Sequence, residues 1–124
     1  MNFDEFEIVH SYTRKMAIED GVLVDVSDTA REVGIRFPVA VTAAVWHLIE
    51  PTEKLKELGQ DIGRLFDTLN MFRHYALKCE GDTLFFDVLF LNANGKHDKV
   101  TFKAVIGAGD TPEPVITIML PEED

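Results

Sequence analysis

The residues best suited to chemistry sit near the start of the chain. His10, Tyr12 and Arg14 fall in the run HSYTR, with Asp20 and Asp25 close behind and Arg36 further on. An imidazole exchanges a proton near neutral pH, a phenol donates a hydrogen bond, and a guanidinium clamps an anion with paired N–H groups. These types would suit a small enzyme or ligand-binding pocket, with His10 as general base, Tyr12 as donor and Arg14 or Arg36 as anion clamp. The structural alternative weighs more. There Thr13 caps a helix, Tyr12 packs, and Arg36 pairs with one of the nearby acids, because polar turn residues usually serve capping.

Other candidates are weaker. His47, His74 and His97 are widely separated, and no two histidines stand at the close spacing of zinc ligands, so no metal site is expected. Cys79 lies on an apolar helical stripe, where a thiol packs and is not activated. The glycines of GAG (107–109) lack the lysine and the strand-to-helix setting of a phosphate loop, and no G-x-S-x-G elbow occurs. No cofactor is expected, and no catalytic residue is assigned beyond the weak set His10, Tyr12, Arg14 and Arg36.

The elements that must position these residues follow from local signals. FEIVH (6–10) reads as a short strand. Thr13 is an N-cap for a brief helix over 14–20, and Gly21 supplies its left-handed stop. VLVDV (22–26) reads as a strand. Ser27 is expected to cap a second short helix that ends at Gly34. Pro38 is expected in the first turn of a buried helix through VAVTAAVWHLI, with a strand over 39–45 as the alternative. Pro51 ends it, and EKLKEL (53–58) reads as a short polar helix before Gly59. The clearest helix spans 61–79, where Ile62, Leu65, Phe66, Leu69, Phe72, Ala76 and Cys79 form one apolar stripe.

From Thr83 the period changes to two. Leu84, Phe86, Val88 and Phe90 share one face of a strand, NANGKHD is a turn, and Val100, Phe102, Ala104 and Ile106 share a face of the next. GAGDTPEP is a second turn and VITIML (115–120) a third strand. The expected fold is therefore α+β: a three-stranded antiparallel meander over 83–120, packed with the 61–79 helix and shorter N-terminal helices and strands. The opposite face of the meander is also apolar, through Phe85, Leu89, Leu91, Val105, Val115 and Met119. It must be covered by the early elements, by a second copy in a homodimer, or by a partner.

A chain of 124 residues with 46% hydrophobic content fits a single domain spanning 1–124, closed by an acidic tail at 121–124. One cysteine excludes an intrachain disulfide and suits a reducing, cytoplasmic setting. The start MNFDEFEIV lacks the basic and long apolar regions of a signal peptide, and no run approaches the length of a membrane span. The net charge of −10 is concentrated at the ends: residues 1–34 hold eight acids against three bases, and residues 81–124 hold the same. Residues 35–80 hold six of each. Direct nucleic-acid binding needs bases to displace counterions from phosphates, so this distribution argues against it.

The block FEIVHSYTRKMAIEDGVLVDVSDTAREVGIRFPVAVTAAVW (6–46) resembles a family of small bacterial proteins known as a domain of unknown function. EPVITIMLPEED (113–124) is similar to that family's C-terminal block. Phages, plasmids and other mobile elements are the setting that the resemblance implies; it carries over no activity or catalytic residue. With the charge, it leads to a non-catalytic acidic interaction protein that binds a host protein, in an anti-defence or DNA-mimic role. The alternatives are the small enzyme or ligand-binding domain around His10, and a structural homo-oligomer.

Overall fold

A computed structural model describes residues 12–50, 63–92 and 94–123. His10, the expected strand over 6–10 and the expected helix over 53–58 lie outside the described residues. Among the described residues five strands form one mixed sheet: β1 (Leu23–Asp25), β2 (Val39–Thr42), β3 (Thr83–Leu91), β4 (His97–Ala108) and β5 (Pro114–Met119). Four helices among the described residues accompany them: α1 (Arg14–Glu19), α2 (Ser27–Glu32), α3 (Ala43–Ile49) and α4 (Gly63–Ala76). The class is α+β.

The strand order is β1-β2-β5-β4-β3. β3, β4 and β5 pair antiparallel in chain order, with Phe86 opposite Phe102 and Ala104 opposite Ile118. β2 then joins β5 in parallel, Val39 beside Ile116, and β1 closes that side antiparallel to β2. Strand alternation sends Val39, Val41, Phe86, Val88, Phe102, Ala104, Ile116 and Ile118 to one face, where all are buried. There they meet Ala30 of α2, Val45 and Ile49 of α3, and Leu65, Leu69 and Phe72 of α4. Phe72, Phe86, Phe102 and Phe90 run through this core as neighbouring rings with centroids 5.9–6.1 Å apart. Edge and tilted contacts of this kind add to the burial of each ring.

Two expectations are corrected. Pro38 does not open a helix: residues 39–42 are strand and residues 43–49 are helix. The boundary follows side-chain shape, since β-branched Val39 and Val41 suit a pleated, fully buried strand while Ala43 and Ala44 favour helix. Thr42 marks the change, with an extended backbone and a side chain that accepts from Val45 N at 3.3 Å. Ser27 is likewise no cap. It is the first residue of α2, behind Val26, which makes no side-chain cap bond. Its hydroxyl instead accepts from Val39 N at 3.0 Å and donates to Asp25 Oδ1 at 2.6 Å, tying the entry of α2 to β2.

The turns are shorter than expected, because His97 and Asp98 open β4, Gly107 and Ala108 end it and Pro114 opens β5. Tyr12 is exposed where packing was expected. The remaining caps and stops hold. Thr13 caps α1 by accepting from Met16 N, and Gly21 and Gly34 take positive φ after the first two helices. α4 buries Leu65, Leu69 and Phe72 of the expected stripe. It stops at Ala76, beyond which Lys78 and Cys79 bond three residues back in a tighter turn. On the opposite sheet face Met119 is buried and Val105, Val115 and Leu91 are half-buried. Phe85 and Leu89 stay 56% and 58% exposed. The acidic end is docked: Glu123 Oε1 accepts from Thr42 Oγ1 and Leu120 N, and the Glu123 carbonyl accepts from Lys103 Nζ.

Candidate functional site

Arg14, at the start of α1, lies between two open clefts on the sheet face away from the main core. α1 begins where Thr13 leaves the extended conformation, which exposes the first backbone N–H groups of the helix. The turn between β4 and β5 supplies their partner. Asp110 accepts from Arg14 N at 2.9 Å and from Lys15 N at 3.0 Å, one carboxylate oxygen to each. A carboxylate at a helix N-terminus is favoured by the orientation of the backbone dipoles. These two bonds, first from Arg14 and then from Lys15, hold the Asp110 carboxyl below the usual carboxylate range. Desolvation opposes them, and the charges of Arg14 and Lys15 assist.

The Arg14 side chain runs across β5. Nη1 donates to Thr117 Oγ1 at 2.6 Å and Nη2 donates to the Ile116 carbonyl at 2.7 Å. Burial lowers its pKa, while the charges of Asp25 and Asp110 pull it back up. Tyr12 donates from its hydroxyl to Asp20 Oδ2 at 2.7 Å. That bond is the main reason its phenol is pushed above the ordinary value, with desolvation and the Asp20 charge adding to it.

One cleft, of about 590 Å3, is lined by Tyr12, Thr13, Arg14, Leu23, Gly109 and Asp110. The other, of about 410 Å3, has Arg14, Lys15, Asp25, Ser27, Asp110 and Val115 on its walls. The structure thus brings Tyr12 and Arg14 to one place. Arg36 is exposed in the loop between α2 and β2 and lines neither cleft, and His10 lies outside the described residues. Asp110 and Thr117, which complete the site, escaped the sequence reading because they stand 96 and 103 positions from Arg14. The one local signal was an acid within the turn GAGDTPEP, a common place for a capping side chain.

Chemically, the site is an arginine whose outer nitrogens both bond the sheet and an aspartate whose oxygens both cap a helix. The remaining candidates are scattered. His47, His74 and His97 are exposed on α3, α4 and β4 respectively. Cys79 packs against the core with its sulfur 3.6 Å from the Gly81 carbonyl.

No helix among the described residues is long and apolar enough to cross a membrane. No curated protein and no solved structure matches the chain significantly. The model of a family of unknown function, DUF6573, matches residues 1–124, and the chain belongs to that family.

Proposed function

We propose that this chain is a small, acidic, non-catalytic interaction protein of a bacterial phage or mobile element, acting in the cytoplasm by binding a host protein. The observation that carries the reading is a pair of large apolar side chains, Phe85 and Leu89, each more than half exposed and standing opposite Lys103 and Lys99 of β4. Exposed apolar groups rimmed by charge are the composition of a protein interface. A net charge of −10 steers such an interface toward a basic partner and raises its encounter rate. The engagement of Arg14, Tyr12 and Asp110 in bonds that hold α1 to the sheet supports the same reading. In its sharper form the partner is a defence or nucleic-acid-processing protein, and exposed carboxylates stand in for phosphates. Affinity purification of the tagged chain from a bacterial host, followed by mass spectrometry, tests it. A reproducible basic host protein, released by raised salt, is expected; recovery of no specific partner overturns the reading.

A second reading, a ligand-binding domain, is favoured by the two clefts that share Arg14. It requires a small carboxylate or phosphate to raise the melting temperature of the wild-type chain and not that of Arg14→Gln. No shift at millimolar anion would leave the interaction reading alone.

A further inference from the structure

Among the described residues β3 is an outer strand of the sheet and, at nine residues, far longer than the three-residue β1 on the other side. Ile106 N donates to the Asp82 carbonyl at 2.7 Å, which sets the phase of the β3–β4 ladder. In an antiparallel pair, bonded and non-bonded positions alternate. The backbone groups of Leu84, Phe86, Val88 and Phe90 therefore face β4, and those of Phe85, Asp87 and Leu89 face outward. Both ends of this outer edge are occupied. Arg64 Nη2 donates to the Leu91 carbonyl at 3.0 Å, and the Cys79 sulfur stands 3.9 Å from the Thr83 carbonyl. Between them, no described residue bonds the backbone of Phe85, Asp87 or Leu89 outside the sheet.

Proteins usually blunt such an edge with lysine, proline, a bulge or a covering element. Here a groove of about 310 Å3 runs beside it. Asp67, Asn70 and Met71 of α4 form one wall, and Asp87, Leu89 and His97 line the strand side. Phe85 and Leu89 share the sheet face away from α4. Asp87 sits between them, accepting from Thr101 Oγ1 at 2.5 Å.

The geometry points to β3 as a strand-addition site that takes an extended segment of a partner protein, with basic and apolar residues alternating. Main-chain bonds to Phe85, Asp87 and Leu89 would hold the segment, and its side chains would alternate between the two faces. Those on the α4 side meet the Asp67 carboxylate and call for lysine or arginine. Those on the other side meet Phe85 and Leu89 and call for valine, isoleucine or leucine. Charge complementarity chooses this occupant over a second copy. Two β3 strands paired about Asp87 would match Phe85 with Leu89, but they would set Asp87 directly against its own copy, and like charges in that position repel. The inference deepens the interaction reading by naming its surface, and rests on it.

The test uses the purified chain and fluorescent nine-residue peptides. One alternates lysine and valine, one alternates glutamate and valine, and one is the lysine peptide N-methylated on alternate amides. The lysine peptide is expected to bind saturably, at least about tenfold tighter than the glutamate peptide and the N-methylated peptide of matching phase. Leu89→Pro removes one outward N–H while leaving the β4 ladder whole, a position where edge strands tolerate proline. It should weaken binding by a similar factor with unchanged circular dichroism. The N-methylated peptide makes the same comparison on the wild-type chain should that variant fail to fold. Equal binding of all three peptides, or no saturable binding, overturns the inference. So does a wild-type dimer that Leu89→Pro dissolves, which assigns the edge to a second copy. Host-partner capture that survives in folded Leu89→Pro overturns this inference alone and leaves the interaction reading standing.

Discussion

Asp110 binds α1 through two backbone N–H groups and no other described residue does this, so its ionisation carries a pH signature. Its folded pKa is depressed below the unfolded value of 3.8. A depressed carboxylate contributes stability that is complete above the unfolded pKa and is lost as pH falls through the folded pKa. Asp110→Asn should therefore lower the urea midpoint at pH 7, and the wild-type and variant curves should converge as pH drops below 3.8 toward the depressed value. Parallel curves down to pH 2 would show that the charge is irrelevant. Tyr12 is the mirror case. Its phenol is raised above 10.0, chiefly by donating to Asp20. The stability it carries is complete below that unfolded value and lost as pH rises through the folded one. Phenolate absorbance should show one of the two tyrosines titrating late, and Asp20→Asn should bring it back toward the ordinary value. A titration that Asp20→Asn leaves in place would break the assignment. At this scale, Thr13 was legible as a cap because the information is local: a hydroxyl three residues before the N–H it accepts. Asp110 was not legible, because nothing near it in sequence says which helix it will cap. Arg14 read as an anion clamp for the same reason, since its acceptors on β5 are distant in sequence.

Ser27 connects two elements, and its loss tests that connection. Val39 is fully buried, and the N–H it presents at the start of β2 donates to the Ser27 hydroxyl. Ser27→Ala leaves this donor without its partner, at a cost of about 1–3 kcal/mol. The urea midpoint should fall accordingly, with no change in the slope that reports exposed surface. A loss below about 0.5 kcal/mol would mean that the hydroxyl contributes little beyond what solvent can replace. The wrong expectation for Ser27 is instructive. A serine before DTAREV carries a real capping signal, yet Asp25 and Val39 compete for the same hydroxyl, and the second lies twelve positions away. The same limit governs the sheet. Glycine stops at Gly21 and Gly34 and the stripe of α4 were readable because each is set by neighbours within one or two turns. The run VAVTAAVWHLI was not, because it is apolar throughout and shows neither period. Only the pairing of Val39 with Ile116 and Val41 with Ile118 makes its first part a strand. The period-two alternation of β4 survived in the sequence because Lys99, Thr101 and Lys103 lie on a face that is not fully buried, whereas β2 is buried at Val39, Ala40 and Val41 alike.

Across the whole molecule, charge and exposed apolar surface oppose each other, and pH sets the balance. At pH 7 the chain carries −10, and like charge opposes the approach of copies through Phe85 and Leu89. Near the isoelectric point of about 4.7 that repulsion vanishes, while the β3 edge, which no other described strand pairs, and its apolar neighbours remain. Light scattering should therefore rise as pH approaches 4.7 and fall again on further acidification, when the twelve lysines and arginines leave a net positive charge. The fall is what separates this from acid unfolding, which would continue to expose apolar surface below that pH. Leu89→Lys places a charge in the middle of the edge, as natural edge strands do, and should flatten the maximum. Each protein must be compared at its own isoelectric point, because the added lysine moves it upward. Raised salt at pH 7 should reproduce part of the effect, since it shortens the screening length to below about 8 Å beyond physiological strength. A wild-type chain that shows no maximum near pH 4.7, or a Leu89→Lys chain with the same maximum, would separate the acidity from the β3 edge. The charge would then serve solubility in general, without guarding this surface.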